Sequence, residues 1–240
     1  MYPSTPAAAA PAPEHGTASG PEPDRHPHGG PPLLAPVLAF VALTIGYVVA
    51  NSSTPRPDAE GRKVLAYARD SSTTIEVGSL LLLASAVPLA LLAALVHRRL
   101  RALGVTAPGP TIALAGGVLG AAALSGSALF GQAVSRLPMD ADPALARALA
   151  DLSFLFGGVA YTAMFALLLA GVSVTGLLSG LLARTPAWAG LVLAGAGMLS
   201  LLSLVADPFN FLLPVVRFGG LVWLVCVAIL LPRARPTPRR

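Results

Sequence analysis

The chain has 240 residues, of which 55% are hydrophobic and only 11% charged, and its mean hydropathy is +0.72. A soluble domain carries about 25% charged residues, so a single water-exposed globule is excluded. A collagen-like or wholly disordered chain is excluded too, because Gly and Pro follow no triplet period and apolar runs dominate. The net charge of +5 comes from short cationic clusters beside apolar segments, without interleaved aromatics. That pattern points to anionic lipid as the partner and away from nucleic acid.

Residues 1–32 are rich in Pro, Ala and Gly and lack the apolar core of a secretory signal. They bury too little apolar area to offset the entropy of ordering them, so a disordered tail is expected. His26-Pro27-His28 in that tail makes no closed metal site. Fifteen Arg against a single Lys, Lys63, is the composition of a GC-rich, bacterial coding sequence. Cys226 is the only cysteine, which rules out an intrachain disulfide.

Crossing about 30 Å of hydrocarbon takes roughly 20 mostly apolar helical residues. Six segments meet that length: Leu33–Ala50, Val77–Val96, Thr111–Val134, a stretch within the charge-free run Leu152–Leu182, Pro186–Ala206 and Phe211–Leu231. Their apolarity is continuous, where barrel strands would alternate. The expected fold is therefore an all-α, six-span transmembrane bundle over residues 33–232, followed by a basic cytoplasmic tail, 233–240.

With six spans both tails lie on one side. That side collects Arg25, Arg98, Arg99, Arg101, Arg184, Arg233, Arg235, Arg239 and Arg240, nine cations against six in the opposite loops. The excess and its clustering predict cytoplasmic termini in a cell membrane, with anionic lipid at the inner Arg clusters. Two outer loops read as short amphipathic helices: one around Asp58–Arg69, with Val64, Leu65 and Ala68 on its apolar face, and one starting at Asp142-Pro143.

Helices in lipid associate by close packing at small residues. Gly116 and Gly120 form a GxxxG pair in the third span, with Ser127 and Gly131 along the same face. Ser153, Gly157 and Tyr161, with Gly158 and Thr162 alongside, mark the fourth. These faces predict close packing of the third and fourth spans.

Polar groups at membrane depth need an explanation. Arg217 is the one charge inside a span, and ionisable groups there cost about 2.5–3.5 kcal/mol on insertion scales. Ser200, Ser203 and Asp207 follow one helical face, so an Asp207–Arg217 ion pair is expected at the outer end of the last hairpin. Such a pair pins the hairpin; the alternative is that Arg217 snorkels to lipid phosphate. Gln132, Tyr161, Ser200 and Ser203 are the candidate polar lining of a cavity. Glu76, Asp140, Asp142 and Asp151 gather near the outer ends of spans, but in no metal-loop spacing.

No nucleophile elbow, phosphate loop, zinc motif, dinucleotide fingerprint or haem motif is present, and no cofactor, metal or catalytic residue is expected. Several features resemble a small bacterial family of six-span integral membrane proteins, a domain of unknown function. They are the outer-loop helix at Asp58–Arg69, the Arg cluster in Leu95–Leu103, Gly157-Gly158-Val159-Ala160-Tyr161, the turn Ala183–Gly190 and Arg217-Phe218-Gly219-Gly220-Leu221-Val222-Trp223. The resemblance implies a six-helix fold and adds no activity. The leading expectation is a regulatory or structural membrane protein acting through helix and lipid contacts, with membrane-protein partners or self-association. A small-solute or ion transporter comes second, and a membrane enzyme with an outer carboxylate site third.

Overall fold

The computed structural model describes residues 32–54, 60–138 and 140–232. The expected disordered tail (1–32) lies outside them except for its last residue, as do the basic tail (233–240) and the first residues of the loop helix around Asp58–Arg69. The described residues form eight α-helices: α1 Leu34–Ala50, α2 Gly61–Asp70, α3 Ser72–Ala102, α4 Gly109–Ser135, α5 Pro143–Phe154, α6 Tyr161–Leu178, α7 Arg184–Leu199 and α8 Leu212–Leu230. A π-helical turn, Leu155–Ala160, joins α5 to α6 without a break, and two 3-10 segments, Ser200–Leu204 and Asp207–Phe211, join α7 to α8.

Five stretches are long and apolar enough to cross a membrane: α3, α4, α5 through α6, α7 with its 3-10 extension, and α8 with the segment before it. α1, at 17 residues, is the short sixth, about 26 Å long at 1.5 Å per residue. The chain is thus an all-helical membrane bundle. The run around the fourth span is longer than one crossing requires. Its surplus goes into α5, which starts where Asp142 accepts the Ala144 N–H at 2.8 Å and Pro143 occupies the first turn.

Neighbours in sequence pack in order around the bundle, α1 on α3, α3 on α4, α4 on α6, α6 on α7 and α7 on α8, and α8 returns to α1. Gly104 and Gly180, with φ of 80° and 67°, end α3 and α6 in the left-handed conformation that side chains disfavour. Phe40, Leu89, Leu92, Phe165, Leu168 and Leu169 fill the centre, each at most 1% exposed.

Glycine sets the closest approaches. A Cβ on Gly116 would sit 2.7 Å from the Met164 carbonyl oxygen and against the Leu168 amide of α6, so the two backbones touch there. Gly171 meets the backbone of Gly109 and Ala113 in the same way. Gly120 has ordinary clearance, 3.7 Å to Leu89 and 3.8 Å to Phe165, and Gly158 lies 3.5 Å from Leu213. The GxxxG pair is therefore asymmetric: one glycine is required for contact and the other is not.

At the end carrying Arg98, Arg99 and Arg101, the three arginines divide. Arg98 is exposed, whereas Arg99 is 2% exposed and donates to the carbonyls of Leu231 and Pro232. The last carbonyls of a helix have no partner within it, and Arg99 of α3 supplies one for the end of α8. The expectation that the cluster as a whole faces anionic lipid is corrected for Arg99. Arg101 clips the following loop, donating to the carbonyls of Val105 and Thr106 and to Thr111 Oγ1.

Candidate functional site

At the opposite end, α2 packs against α5, the first turns of the long helix that continues into α6. Val64 and Leu65 of α2 pack on Ala146 of α5, and Ala68 packs with Ile75 and Val134. Beneath them is a cavity of about 720 Å³, within the ~300–1,000 Å³ typical of small-molecule sites. Its walls are largely apolar, with Val48, Val64, Ile75, Leu82, Ala128, Val134, Phe154, Leu213 and Phe218 contributing. α1 and α8 face each other across it through Tyr47, Val48 and Asn51 on one side and Leu213, Pro214, Arg217 and Phe218 on the other. Within α1 the buried residues are Val37, Phe40 and Thr44, and in its last turns Tyr47, half-buried against the core, borders the cavity with Val48.

Polar groups sit at two levels. Near the mouth, the part-exposed Arg147 and Asp151 form an i,i+4 ion pair at 2.8 Å, and Asn51, Thr54 and Asn210 also line the cavity. Deeper lie Arg217 and the hydroxyls of Ser79, Ser127, Ser153 and Thr162. Ser127 and Ser153 bond reciprocally. Ser127 Oγ donates to the Ser153 carbonyl at 2.8 Å, and Ser153 Oγ donates to the Ser127 carbonyl at 2.9 Å. This double bond ties α4 to the end of α5, where burial from water adds little. Gly157 follows one turn later, and a Cβ there would run into the Ser127 side chain.

Arg217 lies five residues into α8, about 8 Å along its axis. Its guanidinium donates to the carbonyl of Gly157 and sits 5.2 Å from the centre of the Tyr161 ring. Gly157 belongs to the π turn, where the widened helix disturbs the regular backbone ladder. Neither contact supplies negative charge. A cation–π contact contributes about 0.5–2 kcal/mol, less than the ~2.5–3.5 kcal/mol of placing a charge at depth. The open cavity beside Arg217 therefore matters to how this charge is accommodated.

The expected Asp207–Arg217 ion pair is absent among the described residues. Asp207 is exposed, in the 3-10 segment between α7 and α8. The reason is local. Ser200 Oγ donates to the Gly197 carbonyl at 2.7 Å and Ser203 Oγ to the Ser200 carbonyl at 2.6 Å, and the helix tightens to 3-10 from Ser200. Hydroxyl bonds back to the i−3 carbonyl favour such departures from the α ladder. Ala206 is then extended, with φ −145° and ψ 115°. The stripe through Ser200 and Ser203 stops before it reaches the carboxylate.

The candidate lining residues are also placed elsewhere. Ser200 is fully buried and hydrogen-bonds Thr162 at 2.9 Å, joining α6 to the end of α7. Ser203 is half-buried beside it, and Gln132 is half-buried on α4. None of Gln132, Tyr161, Ser200 and Ser203 lines the cavity. Tyr161 is 1% exposed and forms part of the floor's support, stacked on Phe165 with ring centres 5.3 Å apart. Ser79, Asn51 and Asn210, which do line it, carry no distinguishing sequence signal. Ser127, Ser153 and Gly157 stand out in the sequence only as small residues.

The outer carboxylates take separate roles, Asp142 as a helix cap and Asp151 as the partner of Arg147. Among the described residues, no three His, Cys, Asp or Glu side chains group as metal ligands. The chain matches no protein-family model, no curated protein and no solved structure, and the resemblance to six-span membrane proteins rests on its residue pattern.

Proposed function

We propose that this chain is a membrane-embedded binding protein, with a regulatory role exercised through the helices that surround its cavity. The observation that carries this reading is a small-molecule-sized cavity, about 720 Å³, lined by Arg217 and by Arg147, of which only Arg147 is in an ion pair among the described residues. Beneath it, Tyr161, Phe165, Leu89 and Leu168 pack with at most 1% exposure. This supports a site that holds a molecule over one that passes it on. Among the elements that frame the cavity, α4 and α5 meet through the Ser127–Ser153 bonds and α8 meets the π turn through Arg217 and Gly157, so occupancy has direct routes to their packing.

The Arg-rich composition supports a bacterial source, and the clusters at the Arg98 end support a cell-membrane orientation with both termini in the cytoplasm, in which the cavity mouth faces the outer side. The test uses proteoliposomes holding the full chain. With Cys226 replaced by Ala, Ser79→Cys is expected to react with a membrane-impermeant maleimide from the outside. A solute-flux panel is expected to show no transport by the unaltered chain. Flux that disappears in Arg217→Ala would replace this reading with transport.

A further inference from the structure

The charge balance of the cavity narrows what it accepts. Among the described residues, three charged side chains line it: Arg147, Asp151 and Arg217. Arg147 and Asp151 neutralise each other in their ion pair, with Arg147 Nε 2.8 and 2.9 Å from the two carboxylate oxygens. Arg217 has no carboxylate partner among the described residues. A guanidinium carries five N–H donors, and the Gly157 carbonyl accepts from one nitrogen of Arg217. Donors remain, in the planar fork that matches a carboxylate. Ser79, with its hydroxyl on the same cavity, adds a further polar group. The apolar side chains of Val48, Ile75, Leu82 and Phe218 line the cavity as well.

Resting on the binding role put forward above, we propose that the cavity selects a small organic monocarboxylate with an apolar body, its acid group bound by Arg217. A monoanion balances the one cation that has no carboxylate partner among the described residues. A phosphate dianion would bring an extra negative charge to a site holding only one, and desolvating that charge at depth is costly. A neutral molecule of the same shape would leave the guanidinium without a counterion. The site's size, within the small-molecule range, also favours a compact acid over a two-chain lipid taken in whole.

The experiment is equilibrium dialysis of radiolabelled 4-phenylbutyrate and its neutral amide. The full chain is held in nanodiscs of phosphatidylcholine, and empty nanodiscs are subtracted. The acid is expected to bind at least about 10-fold more tightly than the amide, the scale of a charge-assisted bidentate contact. Arg217→Gln is expected to erase that preference and Arg217→Lys to keep part of it. Ala150→Trp, placed on the cavity wall at α5, is expected to abolish binding of both probes. The acid-to-amide ratio of the unaltered chain is decisive even where a variant fails to fold. Equal binding of acid and amide, still blocked by Ala150→Trp, would overturn the monocarboxylate assignment and leave the binding role standing. Retention of neither probe, or binding indifferent to Ala150→Trp, would overturn both.

Discussion

The guanidinium of Arg217 lies over the ring of Tyr161, 5.2 Å from its centre, and α8 is joined to the start of α6 by that contact. The ring itself is almost wholly buried, and its hydroxyl has no hydrogen-bond partner among the described residues. The aromatic face and the hydroxyl therefore contribute separately. Tyr161→Phe keeps the cation–π contact and removes an unsatisfied buried group, so stability is expected to hold or rise by up to about 1 kcal/mol. Tyr161→Leu loses the ring face and is expected to cost more than 1 kcal/mol, of which the cation–π contact is ~0.5–2 kcal/mol. Reversible unfolding in mixed micelles measures both; a larger loss for Phe than for Leu would contradict the assignment.

The two glycines of the α4 pair are expected to respond in opposite ways. Gly116→Ala drives a methyl group into the Met164 carbonyl and the Leu168 amide of α6, backbone atoms that cannot turn aside. Overpacking of this kind costs about 1–3 kcal/mol. Gly120→Ala meets neighbours at 3.7–3.8 Å and gains helix propensity of up to ~1 kcal/mol. The same unfolding measurement on the two variants checks the contrast, and equal effects would refute it.

The reciprocal bonds of Ser127 and Ser153 suit a double-mutant cycle. Each serine donates to the other's carbonyl and the two hydroxyl oxygens lie 3.2 Å apart, so either Ala replacement removes one carbonyl bond together with the contact between the side chains, which the double replacement loses only once. Coupling between polar side chains in membrane bundles averages about 0.6 kcal/mol and reaches about 1.7. A positive coupling within that range is expected. Strict additivity would mean that the pair contributes no mutual stabilisation.

Arg98 and Arg99 are adjacent in sequence and opposite in consequence. Arg99→Ala leaves the carbonyls of Leu231 and Pro232 without the donor they have now, and a hydrogen bond to a charged donor is worth about 1.5–3 kcal/mol. A loss of that size, with release of the α8 end detected by faster amide exchange around Leu231, is expected. Arg98 is exposed, and Arg98→Ala is expected to change stability by less than about 0.5 kcal/mol.

These residues also show where sequence alone stops. Apolar run length, the Asp142-Pro143 helix start and the near-absence of charge in the spans are local properties. They add along the chain, and they determined by themselves that lipid surrounds an all-helical bundle. Partner choice is not local. Asp207 and Arg217 are ten positions apart with opposite charges, yet serine bonds at Ser200 and Ser203 tighten the helix that leads into Asp207, and the carboxylate ends at the surface. Arg217 then meets Gly157 and Tyr161, sixty and fifty-six positions earlier, because α8 packs beside the π turn between α5 and α6. Only the tertiary structure decided that pairing, the burial of Arg99 and the existence of the cavity. Each depends on which helix faces meet, and in lipid that is settled by shape and hydrogen bonding at contact, which hydropathy along the chain does not encode.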